Sequence, residues 1–356
     1  MFRLPLSPSP AGLGAVSSSD AWGLTPLDLE ARGLSSGAAA FAALQRPWRW
    51  KEGAPDLSPR VLAELDVIGR TAPAIRHTQR SDDGATKLLL SARADFIEAV
   101  HMPRSVSTGG RVTLCVSSQV GCAMGCTFCA TASMGFIRQL SAGEIVAQVL
   151  VVLHALGPRH PGELTLVFMG MGEPLHNLRQ VARAIEVLSN PLGLGMSARR
   201  ITVSTSGLVP QIDELGALPV RPLLAISLNA TTDPQRRELM PINRRYPLAE
   251  LRAALERFPL KPRERITVEY VLLGGVNDTP EDALRLVEFC SAFSHHINLI
   301  PFNEHPHAPY RAPSEARLEA FTQAIIDQRG GLVTIRRSRG RDIQGACGQL
   351  VRAAPG

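Results

Sequence analysis

Val112-Thr-Leu-Cys115-Val-Ser-Ser-Gln-Val-Gly-Cys122-Ala-Met-Gly-Cys126-Thr-Phe-Cys129 is the stretch on which the reading of this chain turns. Its opening residues, Val112–Val116, read as a β-strand, and a loop carrying three cysteines follows directly. Three cysteines in eight residues, flanked by Gly121 and Gly125, do not suit a packed strand. In a reducing compartment such crowding points to metal binding or catalysis. Thiolates on one tight loop can ligate three irons of a cubane cluster, which leaves the fourth iron open to a substrate. A structural zinc site would want four protein ligands in two separated pairs, and here only Cys115 could complete one.

Outward from that loop the texture is one of alternating strands and helices. Further strands are predicted at Leu164–Phe168, Ile201–Ser204, Leu223–Leu228, Ile266–Leu273 and Ile297–Ile300, with helices between them. Ser141-Ala-Gly-Glu144 has the form of a capping box, and Thr279-Pro280 places an N-cap before a first-turn proline. Six strands, each followed by a helix, predict an α/β fold with a parallel sheet and right-handed crossovers. Curled, this is a partial (β/α)6 barrel with its chemistry at the C-terminal strand ends. Residues 93–350 form this core. Residues 26–92 read as a small, mainly helical accessory domain anchored by Trp48 and Trp50, and residues 1–25 as a flexible tail rich in Pro, Ser, Gly and Ala.

The chain has 356 residues, 45% of them hydrophobic, enough for a large core. No stretch approaches the ~18–20 apolar residues of a membrane span, and no export signal is evident, so a cytoplasmic protein is expected. Six cysteines are too few for a disulfide scaffold. A balance of 38 Lys and Arg against 32 Asp and Glu gives +6, mildly favouring polyanionic partners.

Several strand ends carry polar groups. Met169-Gly-Met-Gly172-Glu173-Pro174 offers close backbone approach and a carboxylate for an ammonium group. Ser204, Ser227-Leu228-Asn229 and Asn303 suit a ribose or a carboxylate, and equally suit strand-end capping. Cys290 reads as a small buried hydrophobe in an apolar helix. Cys347 differs, because small neighbours leave its sulfur accessible and Arg336, Arg337, Arg339 and Arg341 favour a thiolate. Arg199-Arg200, Arg236-Arg237 and Arg244-Arg245 are either phosphate contacts or solvated. On residue grounds alone Glu98 is a surface carboxylate.

The cysteine spacing, with Phe128 before the last thiol, resembles the radical S-adenosylmethionine superfamily. That resemblance implies a [4Fe–4S] cluster on Cys122, Cys126 and Cys129, with S-adenosylmethionine on the free iron. A closer resemblance is carried by Thr113-Leu-Cys-Val-Ser-Ser-Gln-Val-Gly-Cys122, Gly170-Met-Gly-Glu-Pro174, Val203-Ser-Thr-Ser-Gly207, Met240-Pro-Ile-Asn-Arg244 and the Ala-Cys-Gly-Gln ending at Gln349. From about Glu98 to Leu350 the chain is similar to the RlmN/Cfr family of adenosine methyltransferases, and nearer the RlmN branch.

The resemblance implies methylation of adenine carbon 2 in 23S rRNA, with tRNA as a second candidate; carbon 8 methylation is the alternative of the other branch. A non-catalytic RNA-binding metal module is a rival of another class. The family's chemistry makes Cys347 a methyl-carrying thiol that becomes S-methylcysteine at the expense of one S-adenosylmethionine. A second S-adenosylmethionine, cleaved to a 5′-deoxyadenosyl radical, activates that methyl for addition to the base. Cys115 then resolves the protein–RNA adduct through a transient disulfide, and Glu98 matches the proton acceptor. Gly172, Glu173, Ser204, Ser227, Leu228, Asn229 and Asn303 are implied contacts of S-adenosylmethionine. An electron donor such as flavodoxin or ferredoxin, no membrane and a monomeric state go with this reading. Two departures stand out: Asn229 replaces the branch's usual His, and Ser107-Thr-Gly-Gly110 is an insertion before the first core strand.

Overall fold

A computed structural model of the chain describes residues 20–34, 36–50, 55–69, 73–103, 111–157 and 163–350. The insertion and most of the expected flexible tail lie outside them. Three short helices come first, α1 (Pro26–Ala31), α2 (Gly37–Leu44) and α3 (Pro59–Ile68). They are followed by an antiparallel meander of β1 (Ile75–Arg80), β2 (Thr86–Ala92) and β3 (Asp95–Pro103). The mainly helical reading of residues 26–92 therefore holds only to Ile68. Five of the six β1 side chains are exposed and the strand is polar, as an edge strand can be, so periodicity gave no sign of it.

The parallel strands then run β4 (Val112–Cys115), β7 (Leu164–Phe168), β8 (Ile201–Thr205), β9 (Leu223–Ser227), β10 (Ile266–Leu272), β11 (His295–Pro301) and β12 (Leu332–Ile335); a small hairpin of β5 (Gln119–Gly121) and β6 (Phe136–Gln139) intervenes after β4. All ten main-sheet strands lie in the order β1-β2-β3-β4-β7-β8-β9-β10-β11-β12. The six predicted parallel strands are present, and β12 is an unexpected seventh on an exposed edge. A one-turn α4 (Ala130–Ser133) follows the cysteine loop. The crossovers are α5 (Ala142–Leu156), α6 (Leu178–Ser189), α7 (Val209–Gly216), α8 (Asp233–Leu239) with α9 (Leu248–Glu256), α10 (Pro280–Cys290) and α11 (Glu315–Asp327).

Local chemistry explains the helix starts. Ser141 accepts from the Glu144 amide at 3.1 Å while the Glu144 carboxylate accepts from the Ser141 amide at 2.9 Å, closing the expected box on α5. Thr279 and Asp282 do the same for α10. Cys290 is buried at the end of α10, as read.

The sheet is curled. Side chains from β3, β4, β7, β8, β10, β11 and β12 line a single cavity of about 480 Å3, which a flat sheet would not allow strands so far apart to share. Its two edges are drawn together by the segment after β12, where Gly340 donates to Asp83 at 2.7 Å, Ser81 donates to Asp342 at 2.6 Å and Arg339 donates to the Pro103 carbonyl. The short turns Ala21–Gly23 and Pro47–Arg49 that flank α1 and α2 pack against α5, and Asp28 of α1 pairs with Arg183 of α6. Trp50 stands between Trp22 and His154 of α5, with ring centroids 5.5 and 5.4 Å apart. The side chain of Trp48 lies outside the described set.

Candidate active site

The cavity runs along the inside of the curl, past Thr113, Thr165, Thr202, Thr267 and His296 near the starts of their strands, and both cysteines outside the cluster loop, Cys115 and Cys347, contribute to its wall. Cys115 is the last residue of β4. Cys347 comes from the segment after β12, which Asn303 at the end of β11 holds by donating to the Cys347 carbonyl at 3.3 Å and to Ser338 at 2.9 Å. All six cysteines are free, so the pair stands as two thiols.

Burial governs both sulfurs. Desolvation pushes the Cys115 thiol up to about 12. Cys347 is likewise raised by desolvation, against the opposing pull of Arg336. The arginine run does supply the expected charge through Arg336, but burial outweighs it. Arg336 pairs with Glu269 of β10 at 3.3 Å, and Glu269 in turn accepts from Ser204 Oγ at 2.9 Å. Glu269 gave no signal in sequence, since its strand is otherwise apolar and its partners come from β8 and from beyond β12.

The loop of Cys122, Cys126 and Cys129 sits beside this cavity. Gly121 and Gly125 adopt φ of +72° and +69°, which lets the chain double back between the thiols. The three sulfurs lie within one another's electrostatic reach, and Cys129 also feels Cys347. Among the described residues no three Cys, His, Asp or Glu side chains converge on a single-ion site.

Gly172 has φ +101°, and a Cβ there would lie 2.5 Å from that of Gln119. The adjoining Glu173 carboxylate is buried; desolvation raises its proton affinity while amides of Leu175 and Ser206 donate to it at 3.0 and 2.8 Å. Ser204 and Ser227 face each other, 3.5 Å between hydroxyls. Leu228 is fully buried, its amide donating to the Glu269 carbonyl at 3.0 Å and its carbonyl accepting from Arg236 at 3.0 Å. The Asn229 side chain is engaged with the Val271 amide at 2.9 Å and with Met240, at a backbone φ of +58°. It therefore serves to fix the β9–β10 strand ends.

Two sequence readings are corrected. Arg236 is neither solvated nor free for phosphate; it is wholly buried behind the strand ends, bonded to the Leu228 and Ser206 carbonyls and to Asn243. Glu98 is not on the surface. It is 2% exposed on β3, on the same sheet face as Cys115, and paired with Lys87 at 3.3 Å, although outside the lining of the cavity itself.

A cluster loop, a second thiol pair and a glycine-rich carboxylate turn thus gather at one end of a curled α/β sheet. Residues 116–287 match the model of the radical SAM superfamily. The "Dual-specificity RNA methyltransferase RlmN" of Syntrophotalea carbinolica is 49% identical over 300 residues, covering 83% of this chain and 77% of the relative. The chain belongs to the RlmN family of radical SAM enzymes. Another member with the same name, from an Anaeromyxobacter species, is 47% identical over 344 residues and covers 91% and 89%. A solved structure titled a radical SAM methyltransferase, from Sphaerobacter thermophilus, superposes with a TM-score of 0.83 at 40% identity, covering 92% of this chain and 98% of that one. No helix among the described residues is long and apolar enough to cross a membrane.

Proposed function

We propose that this RlmN-family chain methylates carbon 2 of an adenosine in 23S rRNA, with tRNA as a second candidate substrate. The observation that carries the reading is the shared cavity of Cys115 and Cys347 beside the cluster loop. A radical initiator needs only the loop; a second pair of thiols at the same site suits a group carried on one sulfur and released by the other. The relatives' names support RNA as the methyl acceptor.

Cys122, Cys126 and Cys129 would hold the [4Fe–4S] cluster, and Gly172, Glu173, Ser204, Ser227, Leu228, Asn229 and Asn303 would border S-adenosylmethionine. When bound, these groups supply the methyl group and the one-electron chemistry that an electron-poor ring carbon requires. Cys347 Sγ gives up its proton and carries the methyl group to the base, with Arg336 favouring the thiolate. Glu98 takes the proton that leaves the ring. Cys115, giving up its thiol proton, then attacks Cys347 Sγ: an S–S bond forms as the S–C bond to the product breaks, and the electron pair of that bond takes up a proton to complete the methyl group.

An anaerobic assay on defined rRNA and tRNA fragments, with the methylated position read by mass spectrometry, tests this. We expect 2-methyladenosine, 5′-deoxyadenosine as co-product, and loss of both RNA methylation and protein-bound methyl in Cys347→Ala. Methyl at carbon 8 would move the chain to the other branch. Absence of 5′-deoxyadenosine from a fully loaded protein would favour a non-catalytic module.

A further inference from the structure

β2 is a buried strand, Thr86-Lys-Leu-Leu-Leu-Ser-Ala92, into which Lys87 brings a charge. The side chains of Lys87 and Glu98 are 9% and 2% exposed, with Nζ 3.3 Å from Oε1. Register pairs Lys87 with Val100 and Leu89 with Glu98, so the two charges lie diagonally across β2 and β3 on one face. Long side chains span that diagonal. Val100 in turn pairs with Cys115, which puts the ion pair next to the resolving thiol. Lys87 Nζ also donates to the Gln344 carbonyl at 3.5 Å, three residues before Cys347.

A buried ion pair is a poor device for holding a sheet together. Desolvation of both charges offsets their attraction, and apolar residues of similar volume commonly do as well or better. Removing one partner is another matter, because burial disfavours the charge left behind. Lys87 thus ties the Glu98 carboxylate to the segment that carries Cys347.

We propose that Lys87 is the positioning residue of the proton acceptor: its ion pair fixes the Glu98 carboxylate in place, in register with the Cys347 segment through Gln344. This rests on the reading of Glu98 given above. In the step it serves, the proton on the ring carbon passes to a Glu98 oxygen and the C–H electron pair stays on the ring.

The test uses the full chain with reconstituted cluster, S-adenosylmethionine, reductant and an rRNA fragment. It measures methylated RNA and, on a denaturing gel, the covalent protein–RNA adduct. Glu98→Gln is the reference and should accumulate adduct. Lys87→Gln is expected to accumulate it likewise, with turnover reduced about 100-fold and RNA affinity changed less than about threefold. Lys87→Arg, which restores the cation, should recover turnover to within about tenfold of the parent. The proposal is overturned if Lys87→Gln turns over normally, or loses turnover without adduct, while Glu98→Gln accumulates it. If Glu98→Gln itself gives no adduct, the role assigned to Glu98 fails instead. Should Lys87→Gln prove insoluble, Lys87→Arg decides alone: retained turnover supports the proposal, and adduct at the Glu98→Gln level sinks it.

Discussion

Replacing Arg236 with methionine should cost this protein about 3–5 kcal/mol. Its guanidinium is wholly buried and donates to the Leu228 carbonyl at 3.0 Å, Asn243 Oδ1 at 3.0 Å and the Ser206 carbonyl at 2.6 Å, with a longer contact of 3.4 Å to Ser227. Three well-made bonds from a charged donor contribute about 1.5–3 kcal/mol each. Against this stands the several kcal/mol spent on desolvating a cation, which methionine would recover. Burial pulls the proton affinity of Arg236 down to about 10, so the group stays charged at neutral pH and the cost is real. The net of about 3–5 kcal/mol is the range met when one member of a buried charged network is removed. Urea melts would read it directly: with a slope of about 3 kcal/mol per M, the midpoint falls by about 1–1.7 M. Arg236→Lys should land between, since one ammonium cannot reach three acceptors fixed in a fork. Because the orphaned carbonyls belong to the ends of β8 and β9, affinity for S-adenosylmethionine should fall in parallel. A midpoint shift under about 0.3 M at unchanged slope would refute the reasoning, and would mean that water or repacking satisfies those carbonyls.

Gly172→Ala should abolish binding of S-adenosylmethionine in equilibrium dialysis, because a Cβ would meet Gln119 at 2.5 Å from a backbone φ of +101°; near-parent affinity would show that the turn can shift. Methyl uptake by Cys347, followed by mass spectrometry, should climb about tenfold per pH unit from pH 7 to 9 without a plateau, since burial holds the thiol above its ordinary value. Arg336→Met should slow that uptake at every pH, and a plateau near pH 7 would contradict both statements. Asp20, raised to about 6 chiefly by desolvation, binds its proton more tightly folded than unfolded, so its stabilisation is complete below about 3.8 and lost as pH rises through about 6. Asp20→Asn should therefore stabilise the protein by up to about 3 kcal/mol at pH 7.5 and by clearly less at pH 5. Equal gains at the two pH values would point to a cause other than that carboxylate.

What the sequence discloses here follows from how each signal is written. Each of the six parallel strands packs one face into the core and turns short polar side chains such as Thr113, Thr165 and Thr202 to the cavity, so each reads as a short β-prone run between turn residues, and both helix starts are local by construction. β1 and β12 are exposed edges with no such pattern. Arg236 and Arg237 look alike in sequence, yet the first is the buried hub of the strand ends and the second is exposed. Only the packing of α8 against β8 and β9 tells them apart. Glu98 looked like a surface group because its partner, Lys87, stands on another strand in a segment read as helical. The cluster loop was legible because its ligands are neighbours in the chain. The Glu269–Arg336 pair was not, because 67 residues separate its members.

The two thiols of the cavity face opposite demands in the proposed chemistry, and the site meets them with burial and one arginine. A methyl carrier must ionise to accept its group, whereas a resolving thiol that ionised early would compete for that group. Cys115 ends a central strand, is 6% exposed and is driven up to about 12, so it is held as a thiol. Cys347 is less deeply placed, and among the groups that raise the proton affinity of Arg336 it comes first, ahead of Glu269 and Cys115. The same cation thus acts on both sulfurs but more strongly on the carrier, while Glu269 opposes ionisation at each. On the proposed route, Cys347 is therefore the sulfur that loses its proton first. Cys115 becomes the better nucleophile only once Cys347 is alkylated and no longer a second negative charge beside it.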